Sequence, residues 1–390
     1  MMRRSAALLL LATLGLAACS DDGTSSDTVA PSTPDTTIAD SVPGDSVPAV
    51  LDVVADQPFP ADRCEANKAA GPIIYLSSFD FAASASIVDV LVAHAKGYYD
   101  DLCLDVQLTP SFSVDNYPLI AANDAQFSSG GSFSEMADFA GANDAGYVAL
   151  AVEGRTGIDA LITKDGAVPT LDAIKGTKIG VKGAITPSVK AMLAKAGMVE
   201  GTDYETVLLD GFDPTVHIEV PDIVGFPGYK SNEPKQLEAK GIPFTLYDPS
   251  EYDIPGSFGI VYTNTTFLTE FPTAAQDFMR ATMRGLADAI ADPAAAAQVA
   301  VDAINANGNA LFLSPEGEIA RWAVEAELVS AGVTADAPLG LPLLDALTDE
   351  VTTYASIGLF DGVAPDITTM VDSSVLKGIY DATGAVIWPA

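Results

Sequence analysis

The side chains that most often carry covalent or metal chemistry fall into no working pattern in this chain. Its two histidines, His94 and His217, stand far apart, and neither sits in a metal-ligand spacing such as HExxH. No G-x-S-x-G elbow, P-loop or dinucleotide fingerprint occurs. Carboxylates are numerous, so an acid pair is possible by count, but nothing in the sequence singles one out. Catalysis, a cofactor and a metal are therefore not expected. The chemistry that remains is non-covalent binding.

Several short loops could do that binding. Ser128-Ser129-Gly130-Gly131-Ser132 leads into Glu135. Its glycines let backbone N–H groups approach a ligand, although Ser132-x-x-Glu135 also reads as a capping box. Gly183 to Thr186 joins a strand to a helix start, where Thr186 is a cap as well as a candidate contact. Asp80 and Phe81 follow the first strand, with Ser84 beyond them; Phe81 could stack on a planar ligand or simply pack in a core. Phe212 and Asp213 occupy another loop after a strand. In GFPGYKSNEP, residues 225–234, Pro227-Gly228 reads as a turn that presents Tyr229. Asn232 and Glu233 are divided there between ligand contact and support of the next helix. The candidate ligand set is thus Asp80, Phe81, Ser84, Ser129, Gly130, Ser132, Thr186, Phe212, Asp213, Tyr229, Asn232 and Glu233.

Strands alternating with helices must position these loops. Ile73 to Leu76 and Leu104 to Leu108 read as strands around a helix through Ile87, Val88, Leu91, Val92 and Ala95. The rhythm recurs: strands at Tyr147 to Val152, Ile158 to Thr163, Lys178 to Val181, Thr206 to Leu209, Asp222 to Phe226 and Phe258 to Tyr262. From Pro272 the chain turns mostly helical, with Pro293 and Pro315 opening helices behind Asp292 and Ser314. This pattern predicts parallel α/β sheets in two lobes. Ligands of open α/β sheets sit at the carboxyl ends of strands, which is where the candidate loops lie.

With 53 acidic and 19 basic residues, the chain carries a formal charge of −34 and lacks the basic footprint of a nucleic-acid binder. Arg3 and Arg4, the apolar run Ala6 to Leu16 and the small residues before Cys19 form a lipoprotein signal segment over 1–18. Cys19 is then the lipidated residue, tying the protein to a membrane by acyl chains. Residues 20–60 contain no Lys or Arg and are rich in Asp, Ser, Thr and Pro, so the stretch 19–70 is expected to be a solvated tether. Cys64 and Cys103 remain as an even pair in an oxidising compartment, either joined as a disulfide or separate as buried thiols.

Lys96-Gly97-Tyr98-Tyr99-Asp100-Asp101 followed by Leu104-Asp105-Val106 resembles the "KGYF…GLDV" signature of the SsuA/Thi5-like (NMT1-like) binding proteins. Lys175-Gly176 with Ile179-Gly180-Val181, and the run from Val220 to Glu233, are similar to further family motifs. The resemblance covers about residues 72–290. It implies a type II periplasmic-binding-protein fold: two α/β lobes joined by two crossovers, closing on a small molecule. Lobe one would be 71–165 with 260–390, and lobe two 166–259. The resemblance also implies a monomeric, extracytoplasmic receptor that hands its ligand to an ABC permease and its ATPase. Asp80-Phe81 and the Tyr-x-x-Asn-Glu stretch look like those of thiamine-precursor members, but Ser84 and Ile87 replace their Asn and His. A riboflavin-type vitamin is the alternative cargo. Sulfonate or nitrate is less favoured, because the loops offer Lys182 and Lys230 but no arginine fork. An extracytoplasmic enzyme on the same fold is the reading from another class.

Overall fold

The computed structural model describes residues 52–307 and 314–390. Cys19, the signal segment and most of the expected tether lie outside the described residues. Ten strands form two sheets of five. The first has the order β2-β1-β3-β10-β4, built from β1 (Pro72–Leu76), β2 (Asp105–Thr109), β3 (Phe127–Gly130), β4 (Tyr147–Gly154) and β10 (Phe258–Asn264). The second has the order β7-β6-β8-β5-β9, from β5 (Asp159–Lys164), β6 (Lys178–Val181), β7 (Glu205–Leu208), β8 (Gly225–Tyr229) and β9 (Phe244–Tyr247). Fourteen α-helices surround them among the described residues. Ahead of the second sheet come α1 (Ala61–Lys68), α2 (Val88–Ala95), α3 (Tyr98–Asp101), α4 (Ser113–Ala121) and α5 (Phe133–Asn143). Within it lie α6 (Pro187–Lys195), α7 (Pro214–His217) and α8 (Glu233–Ala239). The tail holds α9 (Thr265–Glu270), α10 (Pro272–Ala291), α11 (Pro293–Asn307), α12 (Pro315–Ser330), α13 (Leu344–Ser356) and α14 (Ser373–Lys377).

Both sheets are mixed, which corrects the expectation of parallel sheets. β10 runs antiparallel to β3 and β4, and β5 runs antiparallel to β8 and β9. Each is the first strand laid down after the chain crosses from one lobe to the other, so it enters its sheet from the opposite end. Strand β5 also moves a boundary. The expected lobe-one limit at 165 would include it, yet it pairs only within the second sheet, so the first crossover is Arg155 to Ile158. A Cβ built on Gly256 in the second crossover would lie 2.6 Å from the Gly157 backbone nitrogen, so the two crossovers touch backbone to backbone.

The tether expectation ends too late. Residues 61–68 form α1, and its Arg63 is buried against Asp277 of α10 with Nε–Oδ2 at 2.6 Å. Beside it, Cys64 and Cys103 are bonded, with Cα atoms 5.3 Å apart. Helix α10 carries the lobe-one core on one face, whose Ala275, Phe278, Met279, Thr282, Met283 and Leu286 recur at helical spacing and are all buried. Its Phe278 stacks on Phe127 of β3, ring centres 3.8 Å apart. Helix α13 lies across both lobes, packing on α5 and α6.

Candidate functional site

The stretch 225–234 sits differently from its sequence reading. Pro227 and Gly228 are not a turn: they lie inside β8, opposite Leu161 and Ala160 of β5. A proline is tolerated because the β6–β8 ladder reaches only Gly225, leaving no donor required of Pro227 on that side. The same register sets Tyr229 directly opposite Asp159, so the two side chains emerge on one face at the strand ends.

Tyr229 is 47% exposed, yet burial raises its phenol well above the ordinary value. A side chain that keeps about half its surface while acids of both lobes crowd it lines a recess. Around it stand Asp159 and Glu233 of the second lobe and Glu135 and Glu325 of the first. A Cβ built on Gly131 would lie 2.6 Å from the Glu135 carboxylate and 3.9 Å from the Tyr229 hydroxyl. Gly131 thus leaves the gap through which a lobe-two aromatic approaches lobe one. Burial pushes Asp159 up to about 7, with Glu233 and Glu135 adding to the rise and Ser188 and Lys230 opposing it. Glu135 is open to solvent, yet the protein around its carboxyl raises it too, partly offset by the Tyr117 hydroxyl and the Ser132 backbone.

The predicted residues divide. Ser132 caps α5, its Oγ accepting the Glu135 N–H at 3.2 Å. Ser129 is fully buried, its Oγ accepting the Ser78 N–H, and Gly130 has no room for a side chain against Ile260. Phe81 does not face a ligand: at 3% exposure its ring belongs to the lobe-one core, the packing alternative. Asp80 turns inward too, accepting the Phe81 N–H at 2.8 Å. Thr186 occupies the N-cap position of α6 but makes no side-chain cap, and its buried Oγ1 has no partner among the described residues. Asn232 likewise fails to cap α8; its Oδ1 accepts from Gln236 and from Arg321 of α12 at 2.9 Å. Glu233 is committed on both oxygens, to Lys182 Nζ at 2.8 Å and to the Tyr229 N–H at 2.8 Å. Asp213 caps α7 through the Thr215 N–H, while Phe212 stands 59% exposed with Lys182 Nζ 5.5 Å from its ring. The fold therefore brings Tyr229 and Glu233 together, near Glu135, whose N–H Ser132 caps. It withdraws Phe81 and Ser129 into packing.

The loop after β1 shows a second arrangement. Ala83 donates its N–H to Glu318 at 2.6 Å, Ala85 to Glu325 at 2.7 Å and Ser86 to Glu153 at 2.9 Å. Ser84, among them, gives its carbonyl to the first turn of α2. Glu325 also accepts the Ser231 hydroxyl at 2.7 Å, so α12 links this loop to the second lobe. Asp159, Glu318 and Glu325 were not singled out in the sequence, where they are three acids among 53, and Glu135 was read there only as part of a capping box.

A family model described as NMT1/THI5 like matches residues 84–296, more than half of the chain. The chain belongs to the NMT1/THI5-like family. A riboflavin-binding protein, RibY, of Chloroflexus aurantiacus is 29% identical over 126 residues, which is 32% of this chain and 35% of that relative. The match spans only about a third of that curated protein's length. Among solved structures, the periplasmic aliphatic sulphonate binding protein SsuA of Escherichia coli aligns with TM-score 0.57 at 11% identity, covering 77% of this chain and 92% of that one. The ligand binding component of an ABC-type import system from Staphylococcus aureus aligns with TM-score 0.59 at 12% identity, covering 80% and 99%. At such identities the structural likeness establishes the fold: two α/β lobes of the periplasmic-binding-protein kind. Among the described residues no helix is long and apolar enough to cross a membrane.

Proposed function

We propose that this member of the NMT1/THI5-like family is the solute-binding component of an ABC importer, working as an extracytoplasmic monomer held to the cell membrane by a lipid on Cys19. Its ligand is a small planar heterocycle such as a thiamine pyrimidine precursor, passed on to the permease and its ATPase. One observation carries the reading. Tyr229, an aromatic side chain left 47% exposed, stands among acids of both lobes, as a wall against a flat ligand requires. Closure of the lobes on the ligand would follow from contacts made by both. The similarity to a riboflavin-binding protein favours a second reading, in which the heterocycle is a flavin-type vitamin.

Thermal-shift screening of the mature domain against pyrimidines, flavins, sulfonates and nitrate tests this, with small-angle scattering to register compaction. One heterocycle class should stabilise the protein and compact it without being consumed. Tyr229→Ala should weaken that binding by ~0.5–1.5 kcal/mol, the worth of an aromatic contact. Turnover of the ligand, or undiminished affinity in the variant, would refute the reading.

A further inference from the structure

Taking the receptor reading above as its basis, we infer that the recess selects a ligand presenting positive charge or several N–H donors, and rejects oxyanions. Two independent features converge on this. The first concerns donors. In a two-lobed binding protein, backbone N–H groups of strand-to-helix loops are the natural seats for an anionic ligand. In the loop entering α2 these seats are filled from within: Glu318, Glu325 and Glu153 accept the N–H groups of Ala83, Ala85 and Ser86. An oxyanion arriving there would find no free donor at those three positions and three carboxylates behind them.

The second concerns acceptors. Asp159 and Tyr229 face each other across β5 and β8. Asp159 takes a single hydrogen bond, from the Ser188 hydroxyl at 3.2 Å. The Tyr229 hydroxyl takes none among the described residues, although its ring is crowded by Glu135, Asp159, Glu233 and Glu325. The nearby cations are already engaged: Lys182 with Glu233 at 2.8 Å, Lys230 with Asp248 at 2.8 Å, and Arg321 with Glu318 and Asn232. What remains open toward the recess is acceptor capacity and negative charge, split between lobe one (Glu135) and lobe two (Asp159). A ligand with donors at both ends would satisfy both lobes at once, and its charge would relieve the repulsion that opposes bringing these acids together.

The groups facing Asp159 are Glu233 and Lys230 near β8, Glu135 of α5, Ser188 of α6, Tyr229 itself and the Tyr354 phenol of α13. Because Asp159 is raised to about 7, a cationic ligand should displace a proton from it. Affinity should then fall as the pH is lowered through 7, by up to about tenfold per unit.

The test uses a shape-matched pair of planar probes, benzamidine as cation and benzenesulfonate as anion. Binding to the mature protein is measured by calorimetry at millimolar concentration and at two values of pH on either side of neutrality. Benzamidine should bind, more tightly at the higher pH, and benzenesulfonate should not. Asp159→Asn should weaken benzamidine binding about tenfold and flatten its pH dependence. Binding of benzenesulfonate, or no binding of benzamidine, would overturn the charge assignment. The receptor reading would fail separately, if no compound of any charge stabilised or compacted the protein.

Discussion

Asp89 of α2 and Glu153 of β4 form a pair of fully buried acids, and the pH dependence of stability should report on them. Burial raises both; Asp89 reaches about 6, and Glu153, with Asp89 adding to the effect, is raised further above its usual value of 4.5. Glu153 uses one oxygen for the Ser86 N–H, and its carboxyl faces that of Asp89. A proton shared between the two carboxyl groups lets one donate to the other. The sign follows from linkage. The unfolded chain gives up the Glu153 proton near its ordinary value, while the fold keeps it. The stability this contributes is fully present below the unfolded value and is lost as the pH rises toward the raised folded value. Glu153→Gln removes that one proton difference. The amide carbonyl can still accept from Ser86 and the amide N–H can donate to Asp89. At about 1.4 kcal/mol per proton per pH unit, the wild-type protein should lose stability more steeply than the variant by about that amount for each unit of pH above the ordinary carboxylate range, until the raised folded value is reached. Urea midpoints of both proteins across that window are the assay. Titrating groups remote from the pair are common to the two proteins and cancel in the difference, while Asp89 responds with its partner. Parallel profiles would refute the shared proton.

Two more outcomes follow from the crossovers and the disulfide. Gly256→Ala places a methyl group 2.6 Å from the Gly157 nitrogen, where both partners are backbone, and should destabilise the protein by ~1–3 kcal/mol, seen as a lower melting temperature. Replacing Cys64 and Cys103 by serine opens a loop of sequence separation 39 and should cost about 4 kcal/mol on the chain-entropy account, measured in denaturant with and without reductant.

Much of the fold was legible because its signals are local. The apolar face of α10, the Pro-led starts of α11 and α12 and the cap of Ser132 depend on residues a few positions apart, and each formed as its spacing predicts. The family motifs were legible for the same reason. The reading failed where partners are distant. Pro227-Gly228 resembles a turn in any local window, and only pairing with β5 makes it strand. Asn232 and Thr186 stand at helix starts, yet Arg321, 89 residues away, competes for the first, and the second makes no cap bond.

The sequence by itself determined the α/β class and most of the helices and strands, since composition and short-range periodicity specify secondary structure without reference to the rest of the chain, while the structure decided that Cys64 and Cys103 are bonded. Tertiary structure alone decided which of 53 acids matter. Asp159, Glu135 and Glu325 come from a strand and two helices far apart in sequence, and they meet only because the lobes pack face to face around Tyr229. A carboxylate's chemistry depends on its desolvation and its neighbours, and neither exists until the chain has folded.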